Sequence, residues 1–173
     1  MITTRYMASA YILNNDDILL LKHAQHKKMH PGRWCNVGGH IDPPEMKSPL
    51  HAMLREIMEE TGIRADQLND LELKYIILAI MENEFRQQFI WFPRSVTRTL
   101  SVCDEGELRW IARKDLYKYE MPFSGAAVLE HFLKRNFDDR QLYTGTITGN
   151  KNNPMIVWTT LNDYERRDHY LSL

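Results

Sequence analysis

The stretch that decides the fold is residues 38–63, GGHIDPPEMKSPLHAMLREIMEETGI. Its second half predicts a helix that begins after Ser48, a favoured N-cap residue, with Pro49 at the first helical position. Gly62 predicts the end of this helix, because glycine tolerates the left-handed conformation found at helix C-termini. The sequence therefore predicts one helix directly after a flexible corner at Gly38 and Gly39.

At about 100° per residue, this helix has two chemically different sides. The apolar side consists of Leu50, Met53, Leu54, Ile57 and Met58. The acidic side consists of Glu56, Glu59 and Glu60, with the small residue Ala52 one turn earlier. We expect the apolar side to pack on the core and Ala52 to leave room above the carboxylates.

The three carboxylates repel one another, and Arg55 is the only cation between His51 and Ile63. Two interpretations of this side are open. It is either an ordinary charged surface or a site for a divalent cation, since Mg²⁺ and Mn²⁺ prefer carboxylate, carbonyl and water oxygens.

The same stretch resembles the Nudix box, G-x5-E-x7-R-E-U-x-E-E-x-G-U, in which U is a bulky aliphatic residue. Gly39 and Glu45 fit the first part, and residues 55–63, REIMEETGI, fit the second part without a mismatch. One departure is that nine residues, not seven, separate Glu45 from Arg55. Because the extra residues precede the helix cap, we expect the helical glutamates to be unaffected. The longer loop leaves open the role of Glu45, which braces the arginine in the family. It predicts that Glu45→Gln has a milder effect than is usual in the family.

The resemblance implies the Nudix fold, an α/β/α sandwich with a central mixed β-sheet, as a single domain over residues 1–173, with 141–173 least supported. It also implies a hydrolase that depends on Mg²⁺ or Mn²⁺. The implied metal ligands are the Gly38 carbonyl, Glu56, Glu59 and Glu60. The implied catalytic residues are Glu56, Arg55, Glu45 and, from an acidic loop before a later strand, Glu105, with Glu107 as second choice. The predicted substrate contacts are Lys22, Arg33, Gly39 and His40.

Within the family, GRWCNVGGHI at 32–41 and EGELRWI at 105–111 are similar to small nucleoside-triphosphate pyrophosphatases, including those that act on oxidised guanine nucleotides such as 8-oxo-dGTP. The implied products are a nucleoside monophosphate and pyrophosphate. ADP-ribose or a dinucleoside polyphosphate remains an alternative substrate. A Nudix-fold module that binds a nucleotide without cleaving it, and an isoprenoid-diphosphate isomerase on the same scaffold, are alternatives of a different class.

The composition limits the classes of binding partner and the cellular locations that we expect. The 173 residues are 43% hydrophobic, enough for one domain with a core, and a net charge of −1 makes nucleic acid an unfavourable partner. No apolar run approaches the length of a membrane span, and two cysteines without a disulfide framework favour the cytoplasm. We expect a small-molecule nucleotide as the partner, and a homodimer is open.

The rest of the chain predicts hairpins and one further helix. The predicted strands lie at 6–13, 18–23, 34–37, 71–80, 85–96, 141–148 and 155–161. A second helix at 125–136, capped by Ser124, is expected to pack opposite the first helix. The charged tail 162–173 also has helical character.

Overall fold

Two mixed β-sheets and two helices form the fold in the computed structural model, which describes residues 2–135 and 140–162. The strands are β1 (Thr3–Ala10), β2 (Ile12–Asn14), β3 (Asp17–His23), β4 (Trp34–Cys35), β5 (Val37–His40), β6 (Leu68–Asn69), β7 (Leu73–Met81), β8 (Glu84–Trp91), β9 (Arg94–Ser95), β10 (Gly106–Ala112), β11 (Leu142–Asn150) and β12 (Asn153–Leu161). The helices are α1 (Pro49–Thr61) and α2 (Phe123–Leu133), with 3-10 turns at Pro43–Glu45, Ala65–Gln67 and Arg113–Lys118. Residues 163–173 of the predicted tail 162–173 and the predicted helix end at Asn136 lie outside the described residues.

The first sheet has the order β12-β11-β7-β8-β1-β5, and the second has the order β10-β3-β2-β9-β6, with β4 paired to β3. The pairs β1–β8, β7–β11 and β2–β9 are parallel, whereas the other pairs are antiparallel. The expected mixed α/β architecture is confirmed, with the strands divided between two sheets.

The helices lie on opposite sides of the strands, as predicted. On one side, Met53 and Ile57 of α1 pack in a buried cluster with Ala8 of β1 and Val37 of β5. On the other side, α2 packs in a separate cluster; its buried residues are Val128, Leu129 and Phe132. None of the helices in the described part of the chain is long and apolar enough to cross a membrane.

Two expectations about α1 are wrong. Met58 is 49% exposed, because it lies at the edge of the apolar side and no strand covers it. Ala52 is fully buried in the cluster with β1 and β5, where its small side chain allows close packing of helix on sheet. Ala52 therefore leaves no open space above the carboxylates. Ser48 precedes the helix as predicted but makes no side-chain capping bond.

Other boundaries also differ from the prediction. The helix α2 begins at Phe123 after Pro122, so Ser124 lies inside its first turn rather than at the cap. The predicted strand 6–13 is divided at Tyr11, whose N–H donates to the Trp91 carbonyl at 3.0 Å, and only residues 12–23 form the hairpin. The predicted strand 85–96 is divided in the same way between β8 and β9. The final hairpin is confirmed, and β11 extends the first sheet beside β7.

Candidate active site

The glycine corner lies at the edge of the first sheet, where β5 pairs with β1. Gly38 has φ +141°, and a Cβ there would lie 2.3 Å from the Ala8 carbonyl oxygen. A Cβ at Gly39 would lie 2.5 Å from Oε1 of Glu56. The two glycines therefore let β5 approach β1 on one side and the acidic side of α1 on the other.

Glu60 is the most deeply buried carboxylate of the site, at 7% exposed. Its Oε2 accepts a hydrogen bond from the Gly38 N–H at 2.9 Å, which ties the end of α1 to the glycine corner. Burial raises the pKa of Glu60 to about 8, the Gly38 N–H opposes this shift, and the charges of Glu56 and Glu105 add to it. A buried carboxylate beside two others is a place where a cation would be stabilising.

Arg55 is the hub of the carboxylate cluster. Its Nε and Nη2 both donate to Glu45, each at 3.0 Å, and this pairing lowers the pKa of Glu45. Its Nη1 donates to Glu56 at 2.9 Å and to Glu59 at 3.1 Å, and its Nη2 also donates to the His40 carbonyl at 3.0 Å. One guanidinium thus joins the loop, the end of β5 and the helix.

The Glu45 contact forms despite the longer loop. Glu45 ends the 3-10 turn Pro43–Glu45, where its Oε2 also accepts the Asp42 N–H at 3.1 Å. The extra residues, Met46 and Lys47, follow in an exposed turn before Ser48. The insertion therefore leaves both the helix register and the Glu45–Arg55 pair in place.

The chemistry of the donor set suits a divalent cation. Burial raises the pKa of Glu56 as well as that of Glu60, so the protein alone stabilises the ionised forms of these two neighbouring carboxylates only in part. Within residues 2–135 and 140–162, however, no group of three or more His, Cys, Asp and Glu side chains converges as a metal cage. The physical reason is that Glu56 and Glu59 are turned to Arg55. Rotation of these two side chains would free their oxygens for a metal ion.

Of the two acidic candidates, Glu105 lies in the loop before β10 and is brought to the cluster, whereas Glu107 lies within β10. Its charge raises the pKa of both Glu56 and Glu60. Glu105 is held by Lys27, whose Nζ lies 2.6 Å from its Oε1, and its carbonyl accepts the Ala24 N–H at 3.0 Å. Glu107 is exposed and pairs with Arg109 instead.

The predicted substrate contacts are dispersed. Gly39 and the His40 carbonyl belong to the cluster. The His40 ring faces Arg5, with Nε2 and Nη1 2.8 Å apart, and burial and then the Arg5 charge lower the pKa of His40. Lys22 lies 5.8 Å from the Trp34 ring centroid, and Arg33 pairs with Glu120 at 3.0 Å. Within the part of the chain that the structure describes, neither Lys22 nor Arg33 pairs with a carboxylate of the cluster around Arg55.

A polar surface on β1 and β8 was missed by sequence reasoning. Directly paired residues of the two strands face the same side of the sheet, as do Arg5 with Arg86 and Met7 with Gln88. Glu84 holds both Arg5 and Arg86. Further along, the buried Ser9 hydroxyl accepts hydrogen bonds from Asn36 Nδ2 at 2.8 Å and Gln88 Nε2 at 2.9 Å. This polar surface is defined by Arg5, Ser9, Asn36, His40, Arg86 and Gln88.

The polar surface adjoins the carboxylate cluster at the glycine corner. Ser9 pairs with Gly38 across the β1–β5 ladder, and Glu60 accepts the Gly38 N–H from the other side. The sequence signal that could have indicated the polar surface is the alternation of Arg86 and Gln88 along β8. Its position depended on the parallel β1–β8 register, which joins residues about 80 positions apart.

These features define a mixed α/β fold with an acidic helix at a glycine corner. The NUDIX domain profile matches residues 3–134, most of the chain. The chain therefore belongs to the NUDIX family, and it is a Nudix hydrolase.

The comparisons with individual proteins agree with this assignment. The nucleoside triphosphatase NudI of Enterobacter sp. (strain 638) is 27% identical over 121 residues, which cover 65% of this chain and 84% of NudI. The MutT protein of Methanosarcina mazei Go1 has a TM-score of 0.66 at 21% identity, covering 77% of this chain and 95% of that chain. The NUDIX domain of Shewanella oneidensis NrtR, solved with ADP ribose, has a TM-score of 0.64 at 15% identity, covering 78% and 90%. At these identities, the two structures show a shared fold.

Proposed function

We propose that this Nudix hydrolase uses a divalent cation, Mg²⁺ or Mn²⁺, to cleave a nucleoside triphosphate to a nucleoside monophosphate and pyrophosphate. The observation that carries the proposal is the buried Glu60 carboxylate, held by the Gly38 N–H and flanked by the charges of Glu56 and Glu105. The nucleoside-triphosphate class is supported by the named activity of the NudI relative. We assign an oxidised guanine nucleotide such as 8-oxo-dGTP as the first substrate to test.

Glu56, Glu59 and Glu60 would hold the cation, and the Gly38 carbonyl is proposed as a further ligand. When bound, a divalent cation neutralises phosphate charge, orients the phosphates and acidifies water. Arg55 serves as the internal countercharge of Glu56 and Glu59, and Glu45 holds the guanidinium in place when those carboxylates turn away from it. Glu45 and Arg55 are therefore positioning residues in this proposal.

The proton of the attacking water needs a carboxylate that is close and basic. Glu56 fits because burial raises its pKa, which makes its ionised form a better proton acceptor than an exposed glutamate. Glu105 is the second candidate, and its carboxylate is paired with Lys27. A phosphate that attracts Lys27 would release Glu105 for this role.

The polar surface is proposed to bind the rest of the substrate. Arg5 and Arg86 supply cationic donors for phosphate oxygens. Both arginines also pair with Glu84, so a phosphate would compete with that carboxylate. Asn36 and Gln88 supply amide groups of the kind that recognise a base edge. Lys22 and Arg33 remain predicted phosphate contacts on the rim.

The test is a substrate panel with product identification by mass spectrometry in ¹⁸O-labelled water. The panel contains the standard and oxidised nucleoside triphosphates, ADP-ribose and a dinucleoside polyphosphate, each with Mg²⁺, with Mn²⁺ and with EDTA. The proposal expects metal-dependent release of pyrophosphate and a nucleoside monophosphate from a triphosphate. Preferential cleavage of ADP-ribose or the dinucleotide would reject the substrate class. Binding without cleavage of any compound would reject the activity itself.

We also propose that residues 1–173 form one domain, because β11 pairs with β7 and so joins the last hairpin to the first sheet. A location in the cytoplasm stays a prediction, to be tested by cell fractionation.

A further inference from the structure

Ser9, Asn36 and Gln88 of the polar surface form one hydrogen-bonded unit. The Ser9 hydroxyl oxygen lies 2.8 Å from Asn36 Nδ2 and 2.9 Å from Gln88 Nε2, and its hydrogen is donated to the Phe89 carbonyl at 3.5 Å. A hydroxyl has one hydrogen, so an oxygen that gives it to a backbone carbonyl only accepts from its other neighbours. The NH₂ groups of both amides therefore point at Ser9.

This orientation leaves the two amide oxygens, Asn36 Oδ1 and Gln88 Oε1, turned away from Ser9. Among the residues that the structure describes, no N–H or O–H group donates to either oxygen. Asn36 and Gln88 are partly exposed, whereas Ser9 is only 2% exposed. A buried hydroxyl thus fixes two acceptors that are accessible to a ligand.

The two acceptors lie beside the carboxylate cluster. Asn36 precedes Gly38 by two residues, which is at most about 7 Å along the backbone. Gly38 donates its N–H to Glu60 and pairs with Ser9 across the β1–β5 ladder. A nucleotide is longer than this separation, so phosphates at the carboxylates leave the base within reach of the amides.

We propose that Asn36 and Gln88, held by Ser9, select a base with two neighbouring N–H donors. Guanine has this arrangement on its Watson–Crick edge, in N1–H and the 2-amino group. Adenine and cytosine present one amino donor beside a ring-nitrogen acceptor, and thymine presents one N–H between two carbonyl oxygens. Two acceptors without a donor therefore favour guanine. The inference rests on the proposed function, because it names the base edge that the nucleotide site binds.

Oxidation of guanine at C8 does not change this edge. N1–H and the 2-amino group are the same in guanine and 8-oxoguanine, so the amide pair contributes equally to the binding of both. Hypoxanthine, the base of inosine nucleotides, keeps N1–H and lacks the 2-amino group. Ser9 is a positioning residue in this scheme, because it determines which amide atoms face the base without contacting the base.

The test is isothermal titration calorimetry with dGMP and dIMP, which differ only in the 2-amino group, in the presence of Mg²⁺. The wild type should bind dGMP about tenfold more tightly, because dIMP leaves one amide oxygen without its donor. Ser9→Ala removes the shared acceptor and lets both amides turn, so this preference should fall below about threefold. The same variant should weaken dGMP and 8-oxo-dGMP by an equal factor.

Substitutions of the amides test their orientation separately. Gln88→Glu and Asn36→Asp keep an oxygen facing the base and lose only the NH₂ group, so they should retain the preference for dGMP. Of Gln88→Met and Asn36→Ala, the variant that removes the partner of the 2-amino group should abolish the preference. The other should weaken dGMP and dIMP equally. Gln87→Met is the matched control and should change neither affinity, since Gln87 faces the other side of the sheet.

Equal affinity of the wild type for dGMP and dIMP, or no binding of either, would overturn the inference. A full preference in folded Ser9→Ala would also overturn it. If Ser9→Ala does not fold, the carboxylate variants decide, because loss of the preference in both Gln88→Glu and Asn36→Asp would show that NH₂ groups face the base. A preference for dGMP without cleavage of any triphosphate would overturn the proposed function and support the inference.

Discussion

Replacing Glu60 with glutamine separates the chemistry of the carboxylate cluster from its effect on stability. Glutamine keeps an oxygen that accepts the Gly38 N–H, now 2.9 Å from Oε2, but it removes the negative charge. Charge stabilisation by a bound cation contributes several kcal/mol to the transition state, and each 1.36 kcal/mol is a factor of ten in rate. We therefore expect Glu60→Gln to lower kcat by about 10³-fold.

The same substitution should stabilise the metal-free protein at high pH. Burial raises the pKa of Glu60 from 4.5 in the unfolded chain to about 8 in the folded protein, so the folded protein holds a proton that the unfolded chain has released. The free energy of unfolding of the wild type therefore falls as pH rises from about 4.5 to about 8. At about 1.4 kcal/mol per pH unit, the upper bound of this loss is about 5 kcal/mol. Glutamine does not titrate and avoids the loss.

The assay combines steady-state turnover in Mg²⁺ with urea unfolding in EDTA at about pH 5 and about pH 8. Wild type and Glu60→Gln should have equal stability at the lower pH, and the variant should be more stable at the higher pH. Glu130→Gln, which changes an exposed glutamate paired with Lys134 on α2, is the matched control and should change neither quantity. Near-normal turnover of Glu60→Gln would refute the reasoning, as would a variant less stable than wild type at the higher pH.

Three further substitutions test the neighbours of Glu60. Glu45→Gln should lower kcat about 10- to 100-fold, because it weakens the pair that holds Arg55. Gly39→Ala should lower kcat by about 10²-fold with intact folding, because a Cβ there would lie 2.5 Å from Oε1 of Glu56 and displace that carboxylate. Arg86→Gln should raise KM about 10-fold or more with little change in kcat, because it removes a proposed phosphate contact far from the reacting bond. Turnover and KM with a hydrolysed triphosphate check all three.

Each of these three predictions is contradicted by a different result. A mild effect of Glu45→Gln would show that Arg55 keeps its position without the pair. Wild-type turnover of Gly39→Ala would show that Glu56 is free to move without consequence. A fall in kcat at constant KM for Arg86→Gln would place that arginine near the chemistry instead of at the binding surface. Lys134→Gln is the control for Arg86→Gln, since it removes an exposed cation directly after α2.

The sequence was sufficient for α1 and its carboxylates because those depend on local signals. Pro49 and Gly62 mark the two ends of the helix, and its periodicity places the glutamates together. The expected insertion before the helix is also local and was found in the predicted place. The sequence did not predict whether Glu45 still contacts Arg55, because this contact depends on the path of the 3-10 turn at Pro43–Glu45.

The polar surface could not be predicted because it depends on contacts between distant segments. Arg5 and Arg86 become neighbours only through the parallel pairing of β1 with β8. Likewise, the division of the predicted strand 6–13 between two sheets depends on Tyr11 and its bond to the Trp91 carbonyl. The choice of Glu105 over Glu107 required the phase of β10 relative to β3, which the acidic loop alone does not specify.

The most direct test of the central claim is an anomalous difference map from crystals of the protein soaked in Mn²⁺. The proposed function predicts an Mn²⁺ peak beside the Glu60 carboxylate, with Glu56 and Glu59 rotated away from Arg55 to coordinate it. The absence of a peak at full soaking, with both carboxylates still paired to Arg55, would contradict the claim that the acidic side of α1 is a metal site.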